Sequence, residues 1–243
     1  MATVPTADPA DSILEIIQSE QPPAGRPFVT LAYAQSLDGS LAARRGEPLS
    51  LSGLESKKLT HRLRASHSAI LVGIGTILAD DPQLNVRLIQ GKNPQPVVLD
   101  SRLRTPPKAR VFQSMYPWIA STLPVEPGRA AALEARGAKL LVFPAGDDGR
   151  VQLPRLLQRL TELGIRHLMV EGGTAVITSF LREGLVDLLV LTIAPILVGG
   201  QPTIDGLLGE MQSPRGEFPQ LVEMKASRSG DDLIVWGFPQ QPG

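Results

Sequence analysis

The amino-acid sequence predicts an α/β protein of three layers, a mostly parallel mixed sheet between helices, with an antiparallel edge contributed by the C-terminal end of the chain. Three observations predict it. Short β-prone apolar runs alternate with helix-period segments from Phe28 to Ala194, the rhythm that builds a parallel sheet through helical crossovers. Leu185 to Ala194 is a near-continuous apolar run, the pattern of a central strand covered on both faces. The last quarter then changes character, because Gln220 to Ser227 and Asp232 to Phe238 read as two strands joined by a turn at Ser229 and Gly230.

Residues 1–25 contain no Lys or Arg and are expected to form a mobile leader, followed by one domain over 26–243. Within the leader, Asp11 or Ser12 is placed to cap a short helix through Ile13, Leu14, Ile16 and Ile17, ended by Pro22 and Pro23 and packed on the body or on a partner chain. Phe28 to Ala34 is a first buried strand, and Ser36 to Gly39 is its turn. Gly53 to Ala65 carries Leu54, Leu59 and Leu63 at helical spacing. Ala69 to Gly73 is a strand that exits through Gly73, Gly75 and Thr76 into a short helix or turn ending at Asp80 and Pro82. Val97 to Asp100, Trp118 to Ser121 and Leu140 to Phe143 are strands, with helices over Glu126 to Arg136 and Leu153 to Leu163. His167 to Val170 is a strand that meets Glu171, Gly172, Gly173 and Thr174, and a helix follows from Ala175 to Glu183. A loop rich in Gly and Pro spans Val198 to Pro214.

Composition bounds the function classes. The 243 residues suffice for a substantial core, and aromatics at 4% leave it to Leu, Val, Ile and Ala. Twenty-four basic residues balance twenty-four acidic ones, so no overall field draws nucleic acid or an anionic membrane, and any anion must be held by a local site. The lack of cysteine removes disulfides and thiolate chemistry, and His61, His67 and His167 do not fall at a metal-ligand spacing, so no metal is expected. No run approaches the roughly 18 apolar residues of a membrane span. The expected compartment is the cytoplasm.

Three segments carry chemistry. In VEGGT, from Val170 to Thr174, two glycines let backbone amides approach a ligand and the following helix offers its positive end, which suits a phosphate. The same pattern also makes an ordinary tight turn. Glu171 beside such a site suits hydrogen bonding to the N–H groups of a base or to sugar hydroxyls, or else it caps a helix or forms a salt bridge. In the second segment, Ile70 to Arg87, Thr76 lies near a helix start, Asp80 and Asp81 are adjacent, and Arg87 is the nearest cation beyond them. Asp-Pro favours turn initiation, so Asp81 is read as structural and Asp80 as a ligand group. The third places Arg62 and Arg64 with His61 and His67 near the end of a helix, where guanidinium suits phosphate or is simply solvated. Ser101, Arg102 and Arg104 follow a strand, as a receptor for the 2′-phosphate that separates NADP from NAD or as a solvated loop. GxGxxG, GxxxxGK[ST] and GxSxG are all missing, which disfavours ordinary Rossmann, P-loop and hydrolase readings.

Taken in order, RPFVTLAYAQSLDGSLA, SGLESKKLTHRLRASHSAILVGIGTILADDPQLNVR, PVVLDSRLRTPPKARVF and VEGGTAVITSFLREGLVDLLVLTIAPILVGG resemble the reductase of riboflavin biosynthesis, which occurs as the C-terminal domain of bacterial bifunctional deaminase-reductases and as a stand-alone enzyme in fungi and archaea. The resemblance extends from Arg26 to Phe238 and implies a dihydrofolate-reductase-like fold, a homodimer, and transfer of a hydride from NADPH to the ribosyl group of a phosphoribosylamino-pyrimidine. By motif it implies cofactor contacts at Ala34, Ser50, Thr76, Asp80 and Ser101, with a phosphate-binding turn and helix at Gly173, Thr174, Ala175, Val176, Ile177, Thr178 and Ser179. It implies substrate contacts at Arg64, Leu84, Arg87 and Glu171, and water or Asp80 as the proton donor. The chain departs from the bacterial bifunctional type at Ala32, where that type has lysine, and at Pro48 and Ser50. Neither H-x-E nor PCxxC is present, so the deaminase zinc site is not expected and the stand-alone type is closer. Two other readings remain open on the same fold: a reductase of another pterin or pyrimidine, and a non-catalytic NADP-binding protein.

Overall fold

The computed structural model describes residues 8–207 and 218–242. Its centre is a nine-stranded sheet formed by β1 (Phe28–Ser36), β3 (Ala69–Gly73), β4 (Gln95–Leu99), β5 (Trp118–Thr122), β6 (Lys139–Phe143), β7 (His167–Gly172), β8 (Leu188–Ala194), β10 (Gln220–Ser229) and β11 (Asp232–Gln240). The order is β10-β11-β8-β1-β7-β3-β4-β5-β6. All pairs from β8 to β6 are parallel, and β11 pairs antiparallel with both β8 and β10. The predicted mixed sheet with an antiparallel edge is present. Two short strands, β2 (Ser40–Ala42) and β9 (Gln201–Pro202), pair separately as a strap that the sequence reading did not contain. A run of two or three residues shows no period, so nothing in the sequence marks it.

Alternation along the strands sends side chains to two helical layers. Val29, Leu31, Leu168, Val170, Leu71 and Val97 face α5 (Leu153–Glu162) and α6 (Thr174–Arg182). In α5, Leu153, Leu156, Leu157 and Leu160 recur at helical spacing on the buried face, and Gly164 at φ +85° follows its end. On the opposite face, Phe28, Ala32, Met169 and Val190 pack against α1 (Pro9–Ser19) and α2 (Leu54–Ser66). The same face continues under α3 (Ile74–Asp80), α4 (Pro127–Glu134) and a 3-10 turn at Arg110–Gln113 through Ile70, Val72, Val98 and Ile119.

Two expectations need correction. The strands buried on both faces are β1, continuously from Phe28 to Tyr33, and β3 throughout, whereas β8 alternates between buried and half-buried positions. Leu188 and Val190 are covered by α1 and α2, while Leu189 and Leu191 sit at the margin of the layer under α5 and α6. The helix expected in the leader is capped by Asp8 rather than Asp11 or Ser12, and it is held on the body. Ile13 and Ile17 are 0% and 1% exposed, and Arg62 on α2 pairs with Asp8 and Asp11. α1 therefore packs on β1, β7 and α2 through Ala10, Ile13 and Ile17. Residues 1–7, and residues 208–214 of the expected Gly- and Pro-rich loop, lie outside the described residues.

Candidate active site

Because β1, β7, β3 and β4 run parallel as neighbours, their carboxyl ends open on one side of the sheet, where ligand crevices of open α/β sheets form. A cleft of about 1430 Å³ lies there. It is lined by Ala34, Ser50, Thr76, Asp80, Ser101, Gly173, Thr174, Ala175, Val176, Thr178 and Ser179, together with Arg64, Arg87 and Glu171. Residues drawn from most of the chain length thus meet in one cavity. Two expected site residues do not line it: Leu84 is 1% exposed in the core beside α3, and Ile177 is buried under α6. Arg62 is turned outward to Asp8 and Asp11.

At one end of the cleft, Gly172 and Gly173 carry β7 into α6 at φ +92° and +87°, a backbone region that glycine enters without steric cost. A Cβ on Gly172 would lie 2.6 Å from Ile177 Cγ1, so the turn is close-packed as well as left-handed. The first bonds inside α6 run from the N–H groups of Val176 and Ile177 to Gly173 O, both at 3.0 Å. The amides of Thr174 and Ala175 precede that ladder and point out of the helix start, where the dipole is positive. Thr76 Oγ1 donates to Gly172 O at 3.1 Å and fixes the turn against α3. β9 crosses the same helix start: Thr174 Oγ1 donates to Pro202 O at 2.8 Å and accepts from Gln201 Nε2 at 2.9 Å. The strap is tied down by Asp38, which accepts from the Ser36 and Ser40 hydroxyls and from the N–H groups of Val198 and Gly199 at 2.6–2.9 Å. Those bonds, the Ser36 hydroxyl foremost, hold the Asp38 carboxyl well below the usual carboxylate range.

At the other end, Glu171 stands at a register shift between β7 and β3, where Val170 pairs with Leu71 and Gly172 with Val72, and points toward α2. Arg64 Nε and Nη2 donate to Glu171 Oε1 and Oε2 at 2.6 and 2.7 Å, and Nη1 donates to the Asn85 carbonyl at 2.9 Å. Burial alone would lower the Arg64 pKa, but the charge and hydrogen bonds of Glu171 outweigh it and raise it. The Arg87 guanidinium reaches only Asn85 Oδ1, at 3.1 Å, among the described residues. Burial and then the neighbouring Arg64 and Arg110 lower its pKa. A cation crowded by cations is primed for an anion.

Asp80 lies at the cleft wall, its carboxyl pushed up by burial. Asp81 is the left-handed cap of α3 and accepts from the Arg110 N–H at 2.7 Å, the structural role read for it. Ser50 accepts from Lys57 Nζ at 2.7 Å. Ser101 Oγ accepts from the Val151 N–H at 3.2 Å, and Arg102, Arg104 and Arg150 line the same end. Among the described residues no group of three or more His, Asp or Glu is placed to hold a metal ion.

Sequence reasoning missed the cleft positions of Lys57 and Thr60, which continue the face of His61 and Arg64 at helical spacing. That spacing was a usable signal. It also missed Arg150, which reaches the cleft through a tight hairpin closed by Ala145 and Val151, and no sequence pattern announces that approach.

Fold and site together define an α/β protein with one cleft at the carboxyl ends of parallel strands, carrying unbonded helix-start amides at one end and crowded guanidinium groups at the other. The profile of the RibD C-terminal domain family matches residues 27–235, and the chain belongs to that family. It is 36% identical to riboflavin biosynthesis protein RibD of Aquifex aeolicus over 87% of this chain and 57% of that protein. It is 39% identical to the 2,5-diamino-6-ribosylamino-4(3H)-pyrimidinone 5′-phosphate reductase of Methanothermobacter thermautotrophicus over 86% of this chain and 97% of that protein. Among solved structures, RibD of Acinetobacter baumannii superposes with a TM-score of 0.77 at 26% identity, covering 90% of this chain and 59% of that one. The riboflavin biosynthesis reductase Rib7 of Saccharomyces cerevisiae superposes at 0.72 with 27% identity, covering 94% and 98%. The chain therefore spans a little over half the length of the RibD proteins and nearly all of the two reductases.

Proposed function

We propose that this chain, with residues 26–243 as its catalytic unit, uses NADPH to reduce the ribosyl group of a 5-phosphoribosylamino-pyrimidine to ribityl. The observation that carries the reading is a single cleft with unbonded helix-start amides at one end and a crowded guanidinium beside a carboxylate at the other. Its volume of about 1430 Å³ exceeds the roughly 300–1,000 Å³ usual for one small ligand, and suits two bound side by side. The relatives named as pyrimidinone phosphate reductases support the same substrate class.

The residues present fit a dinucleotide. The Gly172–Gly173 turn, at positive φ and without Cβ atoms, brings its backbone to the cleft, and the Thr174 and Ala175 amides face where a pyrophosphate would sit. Ser101, Arg102 and Arg104 would receive the 2′-phosphate. When bound, the cofactor supplies the hydride. The protein then has three tasks. Arg87 grips the substrate phosphate. Glu171, oriented by Arg64, has lone pairs left for the N–H groups of the base or the sugar hydroxyls. Asp80, whose carboxyl is raised by burial, delivers the proton that opens the sugar ring. A homodimer and a cytoplasmic location belong to the same reading, on the family resemblance.

The test is NADPH oxidation by the purified chain with the diaminopyrimidinone and the aminouracil substrates offered separately. Turnover with one of them supports the reading. No oxidation with either, under conditions where NADPH binds, overturns it. Asp80→Asn is expected to lose turnover by about a hundredfold or more while NADPH affinity is retained; unchanged turnover assigns the proton to water.

A further inference from the structure

α2 turns Lys57, Thr60, His61 and Arg64 toward the cleft on one helical face. His61 is 3% exposed and is bound to backbone: the Arg87 N–H donates to its Nδ1 at 3.1 Å. A ring nitrogen that accepts a hydrogen bond carries no proton, so this contact selects the neutral tautomer protonated at Nε2. We propose that neutral His61 is a positioning residue that tethers the Arg87 backbone and so sets the guanidinium that grips the phosphate of the substrate. The inference rests on the reading of Arg87 as the phosphate ligand given above.

The local structure shows why a tether matters. Arg87 lies on a segment without helix or strand between α3 and β4. That segment is fixed by the burial of Leu84 and by a few hydrogen bonds: Arg64 Nη1 to the Asn85 carbonyl, Asn85 Nδ2 to Ser114 Oγ, the Val86 N–H to Asn93 Oδ1 at 2.8 Å, and the Arg87 N–H to His61. The Arg87 side chain itself is exposed and, among the described residues, has one hydrogen-bond partner, Asn85 Oδ1. Its placement therefore depends on its backbone. The charged groups facing the imidazole are Arg64 on α2, Arg87 on the loop and Glu171 at the end of β7. Lys57 lies one turn earlier on the same helix face. Burial first, and then the two guanidinium groups against the opposing pull of Glu171, push the His61 pKa down to about 4. The ring is neutral at neutral pH, and protonation of Nδ1 would break the tether while adding a third cation.

His61→Phe keeps the bulk without the acceptor, whereas His61→Asn offers an oxygen near the place of Nδ1. For the phosphorylated pyrimidine, His61→Phe is expected to raise KM about tenfold, the effect of one lost hydrogen bond, with kcat changed less than about threefold and NADPH affinity unchanged. His61→Asn is expected to restore most of the loss. As pH falls toward about 4 the KM of the unsubstituted protein should rise more than that of His61→Asn, which keeps only the rise due to protonation of the substrate phosphate. With the dephosphorylated pyrimidine nucleoside, all three proteins should have equal KM. An unchanged KM in His61→Phe, or an equal rise with the dephosphorylated compound, overturns the proposal. Ring nitrogen chemical shifts test the tether without turnover: Nδ1 must be unprotonated and Nε2 protonated near neutral pH, and the opposite tautomer overturns it. Failure of the functional reading gives a different pattern, in which no pyrimidine supports NADPH oxidation while the tautomer remains as stated.

Discussion

Arg64 and Glu171 satisfy each other within a nearly dry wall of the cleft, with side chains 10% and 15% exposed and the closest contact at 2.6 Å. In such a pair each charge depends on the other, because loss of either partner leaves a desolvated ion. Arg64→Met and Glu171→Leu are each expected to lower the unfolding free energy by about 3–5 kcal/mol, and the double substitution to cost much less than their sum. Urea denaturation of the four proteins measures this, and additive costs would show that the pair does not form. His67 carries a second residue-scale prediction. It is fully enclosed, with Nδ1 at 2.6 Å from Leu63 O and Nε2 at 2.9 Å from Thr30 Oγ1, and burial pushes its pKa down to about 4. Unfolded histidine takes up a proton near 6.5, so between pH 6.5 and 4 the unfolded chain binds more protons than the folded one. Stability should be full above that window, fall through it by roughly 3 kcal/mol, and level off below it. His67→Asn or His67→Gln should remove the His67 share of the pH dependence in a denaturation series and leave the share of His61, which titrates in the same window; an unaltered slope would place the titration elsewhere. The sequence showed the residue types at these places but not their partners. Arg64 and Glu171 were legible as site groups because of their motifs, yet their pairing closes a separation of 107 residues, which spacing does not encode.

At the scale of elements, the turn between β7 and α6 combines two requirements in Gly172, a positive φ and a close approach to Ile177. Alanine there meets both penalties, and relief requires the helix start to move. Gly172→Ala is therefore expected to weaken NADPH binding about tenfold or more, read by fluorescence titration, while Arg87 keeps its affinity for the substrate phosphate. Equal weakening of both would mean that the turn serves the sheet rather than the cofactor. Most elements were legible because their periods are long enough to count: the leucines of α5 and the strand run of β1 each repeat over several turns or pleats. β2 and β9 were not, since the strap they form is defined by Asp38 and Thr174 gripping distant backbone. The burial of α1 was half legible, its apolar stripe being plain and its resting place undetermined until Phe28, Met169 and Trp236 are brought beneath it.

For the whole molecule, the insertion of β7 between β1 and β3 sets the division of labour. That order places the glycine turn of β7 beside Thr76 and the carboxylate of Glu171 beside α2, so a single strand end serves both regions of the cleft. Ser101, just after β4, lies two strands away from β7 in the sheet and is assigned by the proposed function to the cofactor end, whereas Arg87 enters from the loop that leads to β4 and is assigned to the substrate end. The two ends should therefore fail independently. Arg87→Ala is expected to raise KM for the phosphorylated pyrimidine by about tenfold to a hundredfold, as loss of a charged hydrogen-bonding partner does, and to leave NADPH affinity within about twofold. Ser101→Ala is expected to narrow the preference for NADPH over NADH by several-fold and to leave the substrate KM nearly unchanged. Kinetics with both nucleotides and direct titration of each ligand give the four numbers needed. Parallel loss of both affinities in either variant would mean that the cleft responds as one unit, and the separation read from the strand order would not hold.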